Sequence, residues 1–244
     1  MGIPAGFLGL AALLSNVLLS PVACAQDFTT PAPAHETECC APLSPAGVEL
    51  IIDFEVGGRQ QYVSRYQRPI CPACTSTASG VTIGLGYDLR HQQPMTIRRD
   101  WAEHPQVGDL PQASGVGGTQ AVQLTRQLQH VITPLAMAER VFLQSSAVEY
   151  RRRADRCYPG LSGMPQPVID ALVSVTYNRG CPTGMVDRGR EARAIRDQCI
   201  PQRDAMCVAA QIRAMSRIWV GSTIQDGMAR RRNAEAALAI GTSR

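Results

Sequence analysis

The segment from Met164 to Gly180, MPQPVIDALVSVTYNRG, places the strongest constraint on how this chain of 244 residues can fold. Its apolar residues fall on nearly every side of a helix that opens at Pro165 or Pro167 and ends at Gly180, a typical C-cap. Other elements must surround such a helix, because apolar surface left in water costs about 25 cal/mol per Å². The sequence therefore predicts a helical lobe with this segment as its buried hub.

A second apolar helix is predicted nearer the N-terminus. Ser44 can serve as its N-cap, Pro45 suits its first position, and Gly57 and Gly58 stop it. Glu55 then falls in its last turn, at the negative end of the helix dipole. That position, together with burial, favours the protonated carboxyl, so Glu55 can serve as a general acid.

The segment SGVTIGLGYDL, residues 79–89, predicts a short β-hairpin. Apolar residues alternate around Thr82, as in a strand, and two glycines loosen the backbone just before Asp88. Such a hairpin can present a hydroxyl and a carboxylate to a cleft. The preceding residues, Arg59 to Gly80, are expected to form loop and short strand.

More helices are predicted in the rest of the chain. One should begin at Thr119, and another should run from Pro134 past Val148 to the arginines at 151–153. Three further helical stretches are expected around Glu191–Gln198, Gln202–Trp219 and Ile224–Ile240. Together with the hairpin, they place the chain in the α+β class.

Residues 1–25 contain no charged side chain and are predicted to be a signal peptide. The apolar run from Phe7 to Leu19 is too short to cross a bilayer but suits a signal sequence, and Ala23 and Ala25 form a small-x-small cleavage site. Acylation at Cys24 and an uncleaved anchor are the alternatives. After cleavage, the protein should be exported, periplasmic or secreted, without stable insertion in a membrane.

The remaining chain divides into an arm and one domain. Residues 26–44 are rich in proline and threonine and lack hydrophobic periodicity, so we expect a flexible arm. Residues 45–244 are numerous enough to bury a single core. Arginine alone carries the positive charge, and a net charge of +4 either assists encounter with an anionic polymer or reflects genome composition.

Cleavage after Ala25 would leave an even number of cysteines, which in an exported chain predicts disulfide bonds. The sequence does not determine their pairing. The Cys71-Pro72-Ala73-Cys74 motif has no redox or zinc-binding context, so we expect a structural disulfide, local or to other cysteines, and no metal site. The eight cysteines are Cys39, Cys40, Cys71, Cys74, Cys157, Cys181, Cys199 and Cys207.

Four motifs in this order resemble the phage-type lysozymes over residues 46–238: the glutamate ending an apolar helix, GVTIGLGYDL, ALVSVTYNRG and the segment from Trp219 to Arg232. The pesticin-like branch of these peptidoglycan muramidases is the most similar. That branch has the order Glu, Thr, Asp, matched here by Glu55, Thr82 and Asp88. The typical phage pattern has Asp or Cys nine positions after the glutamate, where this chain has Ser64, which cannot act as a carboxylate base.

The resemblance implies a lysozyme-like α+β fold, with a cleft between a small lobe that contains the hairpin and a larger helical lobe. It implies hydrolysis, without a cofactor, of the β-1,4 bond between N-acetylmuramic acid and N-acetylglucosamine. Glu55 would be the general acid, Asp88 the second carboxylate and Thr82 the residue that orients the attacking water.

Three residues could line the sugar subsites, although buried hydrogen-bonding roles are equally open for them: Tyr87, Asn178 and Arg179. His91 has no serine or cysteine nucleophile motif around it, so we expect a structural role. The expected partners are peptidoglycan glycan strands and, for an antibacterial toxin, an immunity or inhibitor protein. We expect a monomer that does not bind nucleic acid. A catalytically inactive peptidoglycan-binding module, a hydrolase of chitin-type glycans and a lytic transglycosylase remain alternatives.

Overall fold

The computed structural model describes residues 42–72, 79–182 and 187–242. Within these ranges the chain forms ten α-helices and a two-stranded antiparallel sheet, which confirms the predicted α+β class. The predicted signal peptide and nearly all of the predicted arm lie outside the described residues. No helix in the described ranges combines the length and hydrophobicity that a membrane span requires.

Short connections join most of the helices, and several of them are single 3₁₀ turns. In chain order the elements are α1 (Pro45–Val56), α2 (Arg59–Arg65), β1 (Thr82–Ile83), β2 (Tyr87–Asp88), α3 (Pro94–Asp100), α4 (Gly118–Gln127), α5 (Leu135–Gln144), α6 (Ser146–Cys157), α7 (Gln166–Arg179), α8 (Arg190–Ala194), α9 (Ala205–Ala214) and α10 (Gln225–Ala239).

Helix α7 is the buried hub that the sequence predicts. Every residue from Val168 to Thr176 is buried, and the helix packs against α1, α6 and α10. Pro165 is its N-cap and Gly180 its C-cap, as expected. Its polar residues Asp170 and Ser174 are buried and hydrogen-bonded as well, so the surrounding elements cover every side of α7 over this stretch.

A second hydrophobic cluster surrounds the hairpin and is separate from the one around α7. Trp101 and Leu110 are fully buried in it beside the apolar residues of the two strands. Helices α3 and α4 supply much of the rest. The hairpin, only two residues per strand, is therefore supported by packing rather than by its few ladder hydrogen bonds.

Both ends of α1 agree with the predicted capping. The Ser44 hydroxyl accepts a hydrogen bond from the Gly47 amide, and Gly57 adopts the left-handed conformation with φ 73°. An additional contact fixes the N-terminus to α7, because Asp170 accepts hydrogen bonds from the Ser44 amide at 3.1 Å and the Ser44 hydroxyl at 2.5 Å. Gln166 donates a third bond to the Asp170 carboxylate, at 2.8 Å.

The segment after α1 differs from the prediction, because residues 59–65 form helix α2 instead of loop. The side chain of Tyr62 is fully buried and donates a 2.9 Å hydrogen bond to the Thr133 carbonyl. Arg59 lies 2.8 Å from Glu49 and 2.7 Å from Glu139. These tertiary contacts stabilise a helix that is too short, and too poorly capped, to be recognised from its own sequence.

The helix predicted from Pro134 past Val148 is divided in two. Ser145 interrupts it, and the Ser145 hydroxyl donates a 2.6 Å hydrogen bond to the Val141 carbonyl. Helix α6 then continues to Cys157, so the arginines at 151–153 lie in its middle and not at a C-terminus. The sequence pattern does not reveal this break because the residues after Ser145 keep a helical period.

Two disulfide bonds confirm the prediction for four of the cysteines. Cys157 bonds to Cys181, joining the ends of α6 and α7, and Cys199 bonds to Cys207 of α9. Cys71 is also disulfide-bonded. The other cysteine of its motif, Cys74, lies outside the described residues, as do Cys39 and Cys40. Disulfides of this kind indicate an oxidising compartment.

We predict that Asp170→Ala will lower the free energy of unfolding by about 2–4 kcal/mol, because it removes a completely buried carboxylate and leaves the partly buried amide and hydroxyl of Ser44 without their acceptor. Urea denaturation measures this change. Asp155→Ala is the control, since its carboxylate is 40% exposed and its ion pair with Arg151, one turn away on the same helix, should contribute little. A loss of under about 0.5 kcal/mol for Asp170→Ala would show that this contact does not hold α1.

Candidate functional site

Glu55 lies in the last turn of α1, as predicted, with 29% of its side chain exposed. Its Oε1 accepts a 2.6 Å hydrogen bond from Nη1 of Arg231 on α10. The Arg231 side chain is only 4% exposed, and its guanidinium lies 5.6 Å from the Phe54 ring centre. The ion pair therefore fixes one carboxylate oxygen at the edge of the core, while part of the side chain remains open to solvent.

Arg231 makes further contacts inside the core. Its Nε donates a 3.1 Å hydrogen bond to Oε1 of Glu235, and its Nη2 lies 3.4 Å from the Ser174 hydroxyl. Both Glu235 and Ser174 are completely buried. The position of the arginine is thus set by α7 and α10 together, independently of Glu55.

Thr82 and Asp88 face each other directly across the hairpin, because Thr82 is the register partner of Asp88. The Thr82 hydroxyl is buried and lies 3.3 Å from the Gly80 carbonyl, to which it can donate. The structure thus brings together the two predicted site residues that are six positions apart in the sequence.

Asp88 makes several local hydrogen bonds in addition to any role in a cleft. Its Oδ2 accepts from the Ser79 hydroxyl at 3.0 Å and from the Gly80 amide at 3.1 Å. Its Oδ1 accepts from the Arg90 amide at 3.0 Å, which caps the 3₁₀ turn Leu89–His91. These bonds orient the carboxylate and leave Oδ1 the better placed oxygen for one more donor. His91 lies beside the other carboxylate oxygen, with its Nε2 3.8 Å from Asp88 Oδ2.

Tyr177, in the last turn of α7, connects this helix with the hairpin. Its hydroxyl donates a 3.3 Å hydrogen bond to the Leu85 carbonyl, in the turn between the two strands. A Cβ atom at Gly86 would lie 2.8 Å from the same hydroxyl. Burial raises the pKa of Tyr177, and the nearby negative charge of Glu55 raises it further. Tyr177 thus contacts the hairpin half of the predicted site and senses the charge of Glu55.

Tyr87 is buried, which fits the hydrogen-bonding role that the sequence leaves open beside sugar binding. Its hydroxyl donates a 2.7 Å hydrogen bond to Asp100, and its ring meets Trp101 edge-on at 5.5 Å. Burial raises the pKa of the Tyr87 hydroxyl, and the hydrogen bond to Asp100 adds to the rise. Tyr87 therefore attaches β2 to the C-terminal end of α3 through Asp100 and Trp101.

Asn178 and Arg179 lie at the C-terminus of α7 and are partly buried. Asn178 accepts a 3.0 Å hydrogen bond from Arg232, and Arg179 donates a 2.7 Å bond to the Arg188 carbonyl. The Arg179 guanidinium lies 5.8 Å from the ring centre of Trp219. Desolvation lowers the pKa of Arg179. Sugar binding by these two residues stays a prediction.

Four residues near the candidate site have no role that the sequence predicts: Ser174, Tyr177, Arg231 and Glu235. A partial signal exists, because Arg231 and Glu235 are four positions apart on one face of α10. No local sequence pattern, however, predicts that Arg231 pairs with Glu55, which lies 176 positions earlier.

In the part of the chain that the structure describes, no three His, Cys, Asp or Glu residues are grouped as metal ligands would be. The side chains gathered at this site carry carboxylates, hydroxyls and guanidinium groups. No protein-family model matches the sequence, and no curated protein matches it either.

We predict that Gly86→Ala will lower the free energy of unfolding by about 1–3 kcal/mol. Its φ of 78° is unfavourable for alanine, and the new methyl group would displace Tyr177. Gly227→Ala is the matched control, because a methyl group at this position in α10 would meet nothing within 4 Å, and alanine favours a helix. Equal stability of Gly86→Ala and the wild type would contradict the close approach of Tyr177.

Proposed function

We propose that this protein is a peptidoglycan muramidase with a lysozyme-like fold. The observation that carries the proposal is the polar connection of α1 and the hairpin through α7. Arg231 pairs with Glu55 and lies 3.4 Å from the Ser174 hydroxyl of α7. Tyr177, three positions further along α7, is hydrogen-bonded to the turn that joins Thr82 to Asp88. A partly exposed glutamate, a hydroxyl and a second carboxylate are the groups that glycoside hydrolysis uses.

In this proposal Glu55 donates its proton to the glycosidic oxygen as the bond to the anomeric carbon breaks. Arg231 engages Oε1 and leaves Oε2 for the substrate. The same arginine stabilises the carboxylate that remains after proton transfer, because an ion pair favours the charged form. Proton transfer therefore leaves a negative charge on Glu55, next to the buried guanidinium of Arg231 that is already in position.

The hairpin would supply the other half of the reaction. A water molecule attacks the anomeric carbon, the Thr82 hydroxyl orients it, and Asp88 accepts its proton directly or stabilises the positive charge that develops on the sugar. The three hydrogen bonds to Asp88 hold its carboxylate in a fixed direction. Preorganised groups of this kind need no rearrangement during the reaction.

Two further features support the proposal. The separate hydrophobic clusters around the hairpin and around α7 suit a small lobe and a larger helical lobe. The disulfides and the predicted signal peptide favour export to the periplasm or beyond, where peptidoglycan is accessible. The arginine-borne positive charge would assist the approach to an anionic wall polymer.

The direct test is the release of reducing ends from purified sacculi. The wild type should release them, and Glu55→Gln should lower the rate by about 100-fold or more while the fold persists, because glutamine cannot donate the proton. Glu49→Gln is the matched control: it lies on the same helix and also pairs with an arginine, Arg59, but is well exposed. Full activity in Glu55→Gln would refute the proposed role.

A binding module without catalysis is the second candidate, and one observation favours it. Glu55 is engaged by Arg231 and Asp88 by its own turn, so both carboxylates already have structural partners. Binding to sacculi without any release of reducing ends would establish this alternative. Mass analysis of released products separates the remaining ones, since a chitin-type hydrolase releases chito-oligosaccharides and a lytic transglycosylase leaves a 1,6-anhydro end.

A further inference from the structure

Glu235 is the buried carboxylate behind the candidate site. It is completely buried on α10, and its Oε1 accepts hydrogen bonds from Ser174 at 2.8 Å, Arg232 at 2.9 Å and Arg231 at 3.1 Å. Nε of Arg232 lies 2.8 Å from its Oε2. Glu235 therefore sits between two arginines and does not reach solvent.

Arg231 is consequently shared by two carboxylates. Its Nη1 contacts Glu55 at 2.6 Å while its Nε contacts Glu235 at 3.1 Å. Burial raises the pKa of Glu235, but two arginines and a serine at hydrogen-bonding distance oppose that rise and favour the carboxylate. Charges in a protein interior are weakly screened, so the negative charge that these groups favour on Glu235 offsets part of the attraction that Arg231 exerts on Glu55. If Glu235 were neutral, the whole positive charge of Arg231 would act on Glu55.

This sharing resolves a conflict in the proposed mechanism. A general acid must carry its proton when substrate binds, whereas an unshared arginine at 2.6 Å would hold Glu55 as the carboxylate. We propose that Glu235 is a positioning residue that, through Arg231, sets how readily Glu55 takes up a proton. The use of that proton rests on the proposed function, but the coupling between the two carboxylates does not.

The other charged or titratable groups near the two carboxylates are few. Glu55 faces Arg231 from α10 and Tyr177 from α7, while Arg59, at the start of α2, is engaged by other glutamates. Tyr177 has no bearing on the coupling at neutral pH, because its pKa is raised and it stays uncharged.

Glu235 faces Arg231 and Arg232 on its own helix, Ser174 on α7 and, at longer range, Tyr158 at the end of α6. Arg232 competes with Arg231 for the charge of Glu235. Its own pKa is lowered to about 10 by burial, so it remains a cation in the neutral range. Changing Arg232 should therefore alter Glu55 in the opposite direction to changing Glu235.

The test is a pH titration of the Glu55 side-chain carboxyl by ¹³C NMR, with the signal assigned from its loss in Glu55→Gln. Glu235→Gln should move the midpoint to lower pH by roughly one unit, since the removed charge lies one guanidinium away. Arg232→Gln should move the midpoint to higher pH. Glu191→Gln is the matched control: Glu191 is buried and bound at 2.6 Å by a different arginine, Arg217, and should leave the Glu55 midpoint unchanged.

Opposite shifts in the two variants, with none in the control, would establish the coupling. An unchanged midpoint in folded Glu235→Gln would overturn it. If Glu235→Gln does not fold, Arg232→Gln decides alone, and a shift to lower pH or no shift overturns the proposal. In an active enzyme the alkaline limb of the kcat profile should follow the midpoint. Absence of muralytic activity in the wild type would refute the proposed function but leave the NMR result standing.

Discussion

The position of the candidate general acid depends on the ion pair between Glu55 and the buried Arg231. It joins the last turn of α1 to α10, while Asp170 joins the first turn of α1 to α7. Helix α1 is therefore fixed at both ends to the helical core by charged hydrogen bonds, which are stronger than neutral ones. Without these contacts, burial of its apolar side would still hold the helix but would define the direction of Glu55 less well.

The hairpin is held by hydrophobic packing and by one polar contact with α7, the hydrogen bond from Tyr177. Its strands are too short to be stable alone, and the cluster around Trp101 supports them. Tyr177 then meets the turn at Leu85 and Gly86, where Gly86, with its positive φ and no side chain, allows the close approach. The candidate site residues thus come from separate parts of the chain, and α7 contacts the elements that carry them.

The sequence predicted those features that depend on local signals. The caps of α1, the buried length of α7 and the presence of a hairpin around Thr82 and Asp88 follow from capping residues, hydrophobic pattern and turn glycines, whereas the direct pairing of these two residues is seen only in the structure. Helix α2 was missed because its stability comes from the buried Tyr62 and from ion pairs with distant residues.

The polar network was missed for a related reason. The bond of Ser44 with Asp170 spans 126 positions and that of Glu55 with Arg231 spans 176, so no periodicity or motif encodes the pairing.

The decisive measurement is a crystal structure of Glu55→Gln with a bound tetrasaccharide of alternating N-acetylglucosamine and N-acetylmuramic acid. We expect a scissile glycosidic oxygen within hydrogen-bonding distance of residue 55, with Thr82 and Asp88 near the anomeric carbon. A saccharide bound away from these three residues would contradict the proposed site.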